Sequence, residues 1–166
     1  MRTLQSAPIA GLMAVCAMLH GCKSPPPKPP PPPPPPVKVS LIASSDVNPD
    51  AQNRASPIVV RVYQLKDDAA FKEADFFTLF DKEQATLAAA LVSRVEFELA
   101  PGEHRAFDVK ISPDARCVGV AAAYRDIRNS NWRTQSGTPD AGLGDILEHS
   151  KMTIAVSRSS VSIAPD

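Results

Sequence analysis

The sequence predicts a mainly β fold: an antiparallel β-sandwich with a small helical insertion, preceded by a lipoprotein signal and a polyproline tether. Three observations carry this reading. Apolar residues alternate with period two in seven short segments between residues 37 and 163, the pattern of half-buried strands. Pro, Gly and Asx turns separate those segments, as in sandwiches. One stretch, residues 71 to 91, switches to a spacing of three and four and is rich in Ala and Leu, which marks amphipathic helix.

The chain opens with Ile9–Leu19, an eleven-residue apolar run behind an N-terminus carrying only Arg2. It has the size of a secretory h-region and falls short of the roughly 20 apolar residues that span a bilayer. The run leads into Leu19-His20-Gly21-Cys22. Small Gly21 lets a peptidase approach the scissile bond, and Cys22 supplies the thiol that takes diacylglycerol and becomes the mature N-terminus. His20 stands where a small residue is usual. The plainer alternative is an ordinary signal peptide followed by an incidental cysteine.

Residues 25 to 36 are eleven prolines interrupted by Lys28. Proline fixes φ and removes the backbone donor, so this stretch is neither helix nor sheet. As polyproline II at about 3.1 Å per residue it forms a semi-rigid spacer on the order of 35–40 Å long. A PxxP ligand for a partner domain is the competing use. The organisation is therefore residues 1–21 signal peptide, 22–36 lipidated cysteine and proline-rich linker, and 37–166 the β-sandwich domain, long enough for one core.

Within that domain Val37, Val39 and Leu41 alternate with Lys38 and Ser40. Ile58, Val60 and Val62 form the next strand; Val59, Tyr63 and Leu65 fill its other face, so it is buried on both sides. Val95, Phe97 and Leu99 alternate with Glu96 and Glu98 up to Pro101-Gly102, and Phe107, Val109 and Ile111 follow, which predicts a hairpin across residues 100 to 106. Val118 to Tyr124, Met152 to Val156, and Val161 with Ile163 complete the strands. Between the second and third, Phe71, Phe76, Leu79, Phe80, Leu87 and Leu91 lie on one or two helices that cap an open side of the sandwich; a partner-binding groove is the minor alternative. Trp132 is expected to bury against this insert.

Two loops stand out. Residues 44 to 57 are almost entirely polar and join strands that need only a few residues to connect. Such an excursion carries ordering cost without core burial, so core stability does not account for it, and function is the better explanation. Asn48 and Asp50 are suited to shaping the turn, Pro49 and Pro57 to limiting its freedom, and Arg54 to a direct polar contact with a partner. The second loop, residues 130 to 150, carries Gly137, Pro139, Gly142 and Gly144, with a helical turn expected at 145–148.

The composition excludes several classes. Lys and Arg number 18 against 18 Asp and Glu, so no basic footprint points to nucleic acid. Cys16 leaves with the signal and Cys22 is lipidated, which leaves Cys117, whose apolar neighbours Val118 and Val120 favour a core role. His104 and His149 have no HxxH, HExxH or CxxC nearby, so no metal site is expected. Neither a G-x-S-x-G, a phosphate-cradling loop nor a Cys–His pair is present, and Glu96 with Glu98 reads as a solvated face. The chain is not expected to be an enzyme or to hold a cofactor.

Several segments, in order, resemble one family. After the lipidation motif at Cys22 come Ser56-Pro-Ile-Val-Val-Arg-Val-Tyr-Gln-Leu65, Phe71-Lys-Glu-Ala-Asp-Phe-Phe-Thr-Leu79, Leu99-Ala-Pro-Gly102, and Val118-Gly-Val-Ala-Ala-Ala-Tyr-Arg125 leading to Trp132-Arg133. The chain resembles the outer-membrane lipoprotein of the type VI secretion system, the TssJ (VasD/SciN) family. That resemblance implies a transthyretin-like sandwich, lipid-anchored on the periplasmic face of the outer membrane. It implies a partner too: the periplasmic end of the inner-membrane protein TssM, within a multimeric trans-envelope complex. The family's contact surface, the loop between the first two strands, maps onto Asp46, Val47, Asn48, Pro49, Asp50, Ala51, Gln52, Asn53, Arg54, Ala55, Ser56 and Pro57. Lys23, not aspartate, follows Cys22, consistent with the outer membrane. The rival reading is a periplasmic lipoprotein that binds a small ligand or inhibits an envelope enzyme.

Overall fold

The computed structural model describes residues 36–137 and 151–165. The signal peptide, Cys22, most of the proline run, His149 and the helical turn expected at 145–148 lie outside the described residues.

Eight strands form: β1 (Val37–Ala43), β2 (Ile58–Leu65), β3 (Leu91–Leu99), β4 (His104–Val109), β5 (Cys117–Ala122), β6 (Arg133–Ser136), β7 (Lys151–Val156) and β8 (Val161–Pro165). They build two four-stranded sheets, ordered β4-β1-β7-β8 and β3-β2-β5-β6. Between β2 and β3 run three short helices, α1 (Ala69–Glu73), α2 (Phe76–Asp81) and α3 (Glu83–Leu87). The fold is mainly β, two sheets face to face with a helical layer on the outside of one.

Alternation explains the packing. Val37, Val39 and Leu41 of β1 and Met152, Ile154 and Val156 of β7 point inward onto Ile58, Val60 and Val62 of β2 and Val118, Val120 and Ala122 of β5. The opposite face of β2 and β5 carries Tyr63, Leu65, Cys117 and Ala121, covered by Phe71, Leu79 and Leu87 from the helices. Both central strands of this sheet are thus buried on both sides, as β2's apolar content requires. Gly119 of β5 lies directly under Phe71: a Cβ there would sit 3.0 Å from the ring and 3.2 Å from Leu65. Cys117 is fully buried, and burial pushes its thiol pKa up.

Four expectations are corrected. The sandwich is not wholly antiparallel, because β1 and β7 pair in parallel while the other pairs are antiparallel; alternation carries no information on strand direction. The Pro101-Gly102 turn does not close a hairpin. It turns a corner, so that β3 pairs with β2 in one sheet and β4 with β1 in the other. Phe97 and Phe107, 4.5 Å apart, fill the gap between the diverging strands. The helical segment comprises three pieces, since Ala74 (ψ 139°) and Lys82 (φ −128°, ψ 32°) leave helical geometry. Finally, residues 133 to 136, expected in a loop, form β6, an edge strand on β5.

Trp132, just before β6, is half-buried and meets Phe76 of α2 edge-on at 5.3 Å. Arg133 donates to the carbonyls of Phe71 and Ala74, closing the C-terminal end of α1. Glu96 is exposed, as expected, and bonds Arg61 and Arg94, each at 2.7 Å.

The strand directions give the sandwich two poles. Pro36 leads into β1 at one. Loop 44–57 leaves β1 at the other, beside the corner at 100–103 (Ala43 N–H to Glu103, 2.9 Å; Gly102 N–H to Ser44, 3.1 Å) and the end of β7 (Ser44 N–H to Val156, 2.9 Å).

Candidate functional site

The polar loop singled out in the sequence is ordered from end to end, by two devices. At its base Val47 and Asn48 are buried, as is Ser56 on the returning limb, and Ser56 N–H donates to the Val47 carbonyl at 3.1 Å. Part of the excursion is therefore core, which corrects the expectation that it buries nothing. At its tip the chain doubles back over residues 50 to 54: Asn53 N–H donates to the Asp50 carbonyl at 2.9 Å and Asp50 N–H to that of Arg54 at 2.8 Å. The Asp50 carboxylate accepts from the backbone N–H groups of Gln52 and Arg54, both at 2.9 Å. It also accepts from the Arg54 guanidinium, Nε at 2.8 Å and Nη2 at 2.7 Å. The Arg54 guanidinium bonding foremost holds the Asp50 carboxyl below the usual aspartate range.

Asn48 is the knot of the base. Its φ of +48° lies in the left-handed region that asparagine tolerates better than most residues. The side-chain amide donates to Pro57 O at 2.7 Å and its oxygen accepts Arg125 N–H at 2.8 Å, while its own backbone N–H donates to Arg158 O at 3.2 Å. Asn48 thereby joins this loop to the β5–β6 connection through its side chain and to the β7–β8 turn through its backbone.

Those two segments are themselves pinned. The buried Tyr124 hydroxyl lies 2.6 Å from Ser160 O and 3.0 Å from Ser157 O, its pKa raised by burial. Ile127 packs on the core and Asn129 donates to both carboxylate oxygens of Asp126, at 2.9 and 3.0 Å. Arg158 reaches back across the turn to Asn53 and, at 3.8 Å, to Asp46.

Of the twelve residues expected to form the site, Ala51, Gln52, Asn53 and Arg54 are exposed at the tip, with Asp46 and Pro57 exposed at the limbs. Pro49, Asp50 and Ala55 are half-buried. Val47, Asn48 and Ser56 support the loop from within. Arg54, expected to reach outward, has its first partner inside the loop, and its side chain remains 74% exposed. Tyr124, Arg125 and Arg158 belong to the same pole, and the sequence did not mark them as residues of the site. Beyond the family-like segment that ends in Arg125, their local signal was a charged pair, Arg125-Asp126, soon after an apolar strand, and the polar turn Ser157 to Ser160. An open cleft of about 510 Å³ separates Pro49, Asp50, Ala51 and Asn53 from Arg125, Asp126 and Arg158. Among the described residues no three His, Cys, Asp or Glu side chains converge to hold a metal ion, and no helix is long and apolar enough to cross a membrane.

Residues 35–159 match the family described as type VI secretion lipoprotein (VasD, EvfM, TssJ). The fold is similar to the crystal structure of the T6SS lipoprotein TssJ1 from Pseudomonas aeruginosa, at 34% identity and a TM-score of 0.71, with 81% of this chain and 98% of that one covered. It is similar to Serratia marcescens Lip, a membrane-bound component of the type VI secretion system, at 28% identity and a TM-score of 0.65, covering 77% and 97%. A chain in a structure described as the T6SS protein TssM C-terminal domain from EAEC matches at 27% identity and a TM-score of 0.63, covering 80% and 99%. No curated protein matches the sequence.

Proposed function

The chain belongs to the type VI secretion lipoprotein family, and we propose that it ties the periplasmic end of a TssM-like inner-membrane protein to the outer membrane. Membership makes it a component of the type VI secretion membrane complex, and the part we assign it there is that of a scaffold. Residues 1–21 act as the signal peptide, lipid on Cys22 holds the chain to the periplasmic face of the outer membrane, and the prolines up to Pro36 set the sandwich of residues 37–166 off from the lipid.

The observation that carries the reading is the construction of the loop. A polar tip, residues 50 to 54, is presented at the pole opposite Pro36 on a base welded by Asn48. A tip already ordered by Asp50 and Arg54 loses little entropy on docking, and its exposed side chains and backbone offer hydrogen bonds to a protein surface. The similarity to a chain in a structure described as the T6SS protein TssM C-terminal domain supports the choice of that partner.

Two variants test the two attachments. Replacing residues 50–54 by a Gly-Ser turn, which spares Asn48, should abolish co-purification with the TssM periplasmic domain and leave the melting curve nearly unchanged. Retained binding would overturn the loop's role. Cys22→Ser should fold and no longer fractionate with outer membrane; a variant still membrane-bound would refute the anchor.

A further inference from the structure

We infer that the recognition surface extends beyond the loop onto Arg125 and Arg128, and that this side of it takes a carboxylate-bearing segment of the protein partner. The inference rests on the reading above and specifies the chemistry of the docking face.

Among the described residues three arginines have side chains with no hydrogen bond or ion pair: Arg116, Arg125 and Arg128. The others are engaged: Arg54 with Asp50, Arg61 and Arg94 with Glu83 and Glu96, Arg105 with Glu103, Arg133 with helix carbonyls, and Arg158 with Asp46 and Asn53. Arg116 lies beside the start of β5, at the pole of Pro36. Arg125 and Arg128 lie together at the pole of the loop, both exposed.

Their backbone does not share the freedom of their side chains. Arg125 N–H is held by Asn48 at 2.8 Å, Tyr124 is locked to the β7–β8 turn, Ile127 is in the core, and the Asp126–Asn129 turn is doubly bonded. Two unpaired guanidinium groups are thus offered from a fixed frame, one of them lining the cleft next to the loop tip. Guanidinium pairs bidentately with carboxylate, and unpaired charges at the edge of an interface steer encounter. Asp50 and Asp126 share the cleft with Arg125, an arrangement that disfavours a phosphate-dense lipid surface more than single carboxylates spaced along a protein segment.

The test uses the mature lipoprotein in detergent and the periplasmic C-terminal domain of the TssM encoded with it. Arg125→Glu/Arg128→Glu should weaken association about tenfold or more, chiefly through a slower on-rate, and flatten its salt dependence. Arg116→Glu should match the wild type. If the double variant binds with wild-type affinity and salt dependence while the 50–54 replacement abolishes binding, this inference falls and the loop's role stands. If the 50–54 replacement binds normally, the loop's role falls; a loss in the double variant would still uphold the arginine face. Loss of Cys22→Ser protein binding to anionic phospholipid vesicles in the double variant, with partner binding intact, would assign the arginines to lipid and overturn the inference.

Discussion

The side-chain oxygen of Asn48 accepts the backbone N–H of Arg125 at 2.8 Å, joining positions 77 residues apart. With the bond from its amide to Pro57 at 2.7 Å, a single buried residue sets where the loop tip stands relative to the β5–β6 connection. Asn48→Gly keeps the left-handed backbone and removes both side-chain bonds. It is expected to cost about 2–3 kcal/mol, because buried polar groups are left unpaired. The measurement is a lower urea midpoint at unchanged slope. An unmoved midpoint would remove Asn48 from this role.

Gly119 supports the helical layer by having no side chain. Gly119→Ala would press a methyl into the Phe71 ring, 3.0 Å from the Cβ position. Overpacking of this kind costs about 1–3 kcal/mol. Combining it with Phe71→Leu should recover part of the loss, as coupling between contacting residues requires. Strictly additive losses would show that the two do not touch.

Trp132 bridges the inner core and the helices but is only half-buried. Trp132→Ala is therefore expected to cost about 2 kcal/mol, below the roughly 3–5 typical of enclosed aromatics. Thermal melting reads this directly. Unchanged melting with lost TssM binding would make Trp132 an interface anchor.

The pH response of the loop tip follows from Asp50. Its carboxyl pKa is lowered in the fold, first by the Arg54 guanidinium, so the contribution is fully present above the ordinary aspartate value of about 3.9 and fades as pH drops through the lowered one. Amide exchange at Gln52 and Arg54, normalised for intrinsic rates, should show protection held at about pH 6 and lost as the pH falls below the ordinary aspartate range. Asp50→Asn should lack most of that dependence. Protection in wild type that does not change with pH would rule out Asp50 as the clasp.

The strands in the core were legible because burial on one face imposes alternation, as Val37-Lys38-Val39 shows, and burial on both faces imposes the apolar run of β2. β6 was not, because Arg133-Thr-Gln-Ser pairs through its backbone at an edge and has no apolar face to advertise. The parallel pairing of β1 with β7 depends on contacts far apart in sequence, which local pattern does not encode. At the loop, length and polarity marked the segment, and Asp50 with Arg54 were visible as residues. Their mutual clasp was not read, although a spacing of four between opposite charges offered it. Arg125 and Arg158 reach the same pole only through tertiary folding, so no local signal joined them to residues 46–57.

The position of Pro36 has a mechanical consequence. A pull between it and the tip at residues 50–54 runs along the covalent backbone of β1 and the outgoing limb of the loop. The strand carries that force flanked by β4 and β7, whose hydrogen bonds lie across its axis and hold it in place without lying in the path of the load. β2 to β8 are outside the line of tension, coupled to it by β1's neighbours and by the bonds of Asn48. The sandwich can thus stay folded under traction between Pro36 and the loop tip, with the seven residues of β1 as the cable.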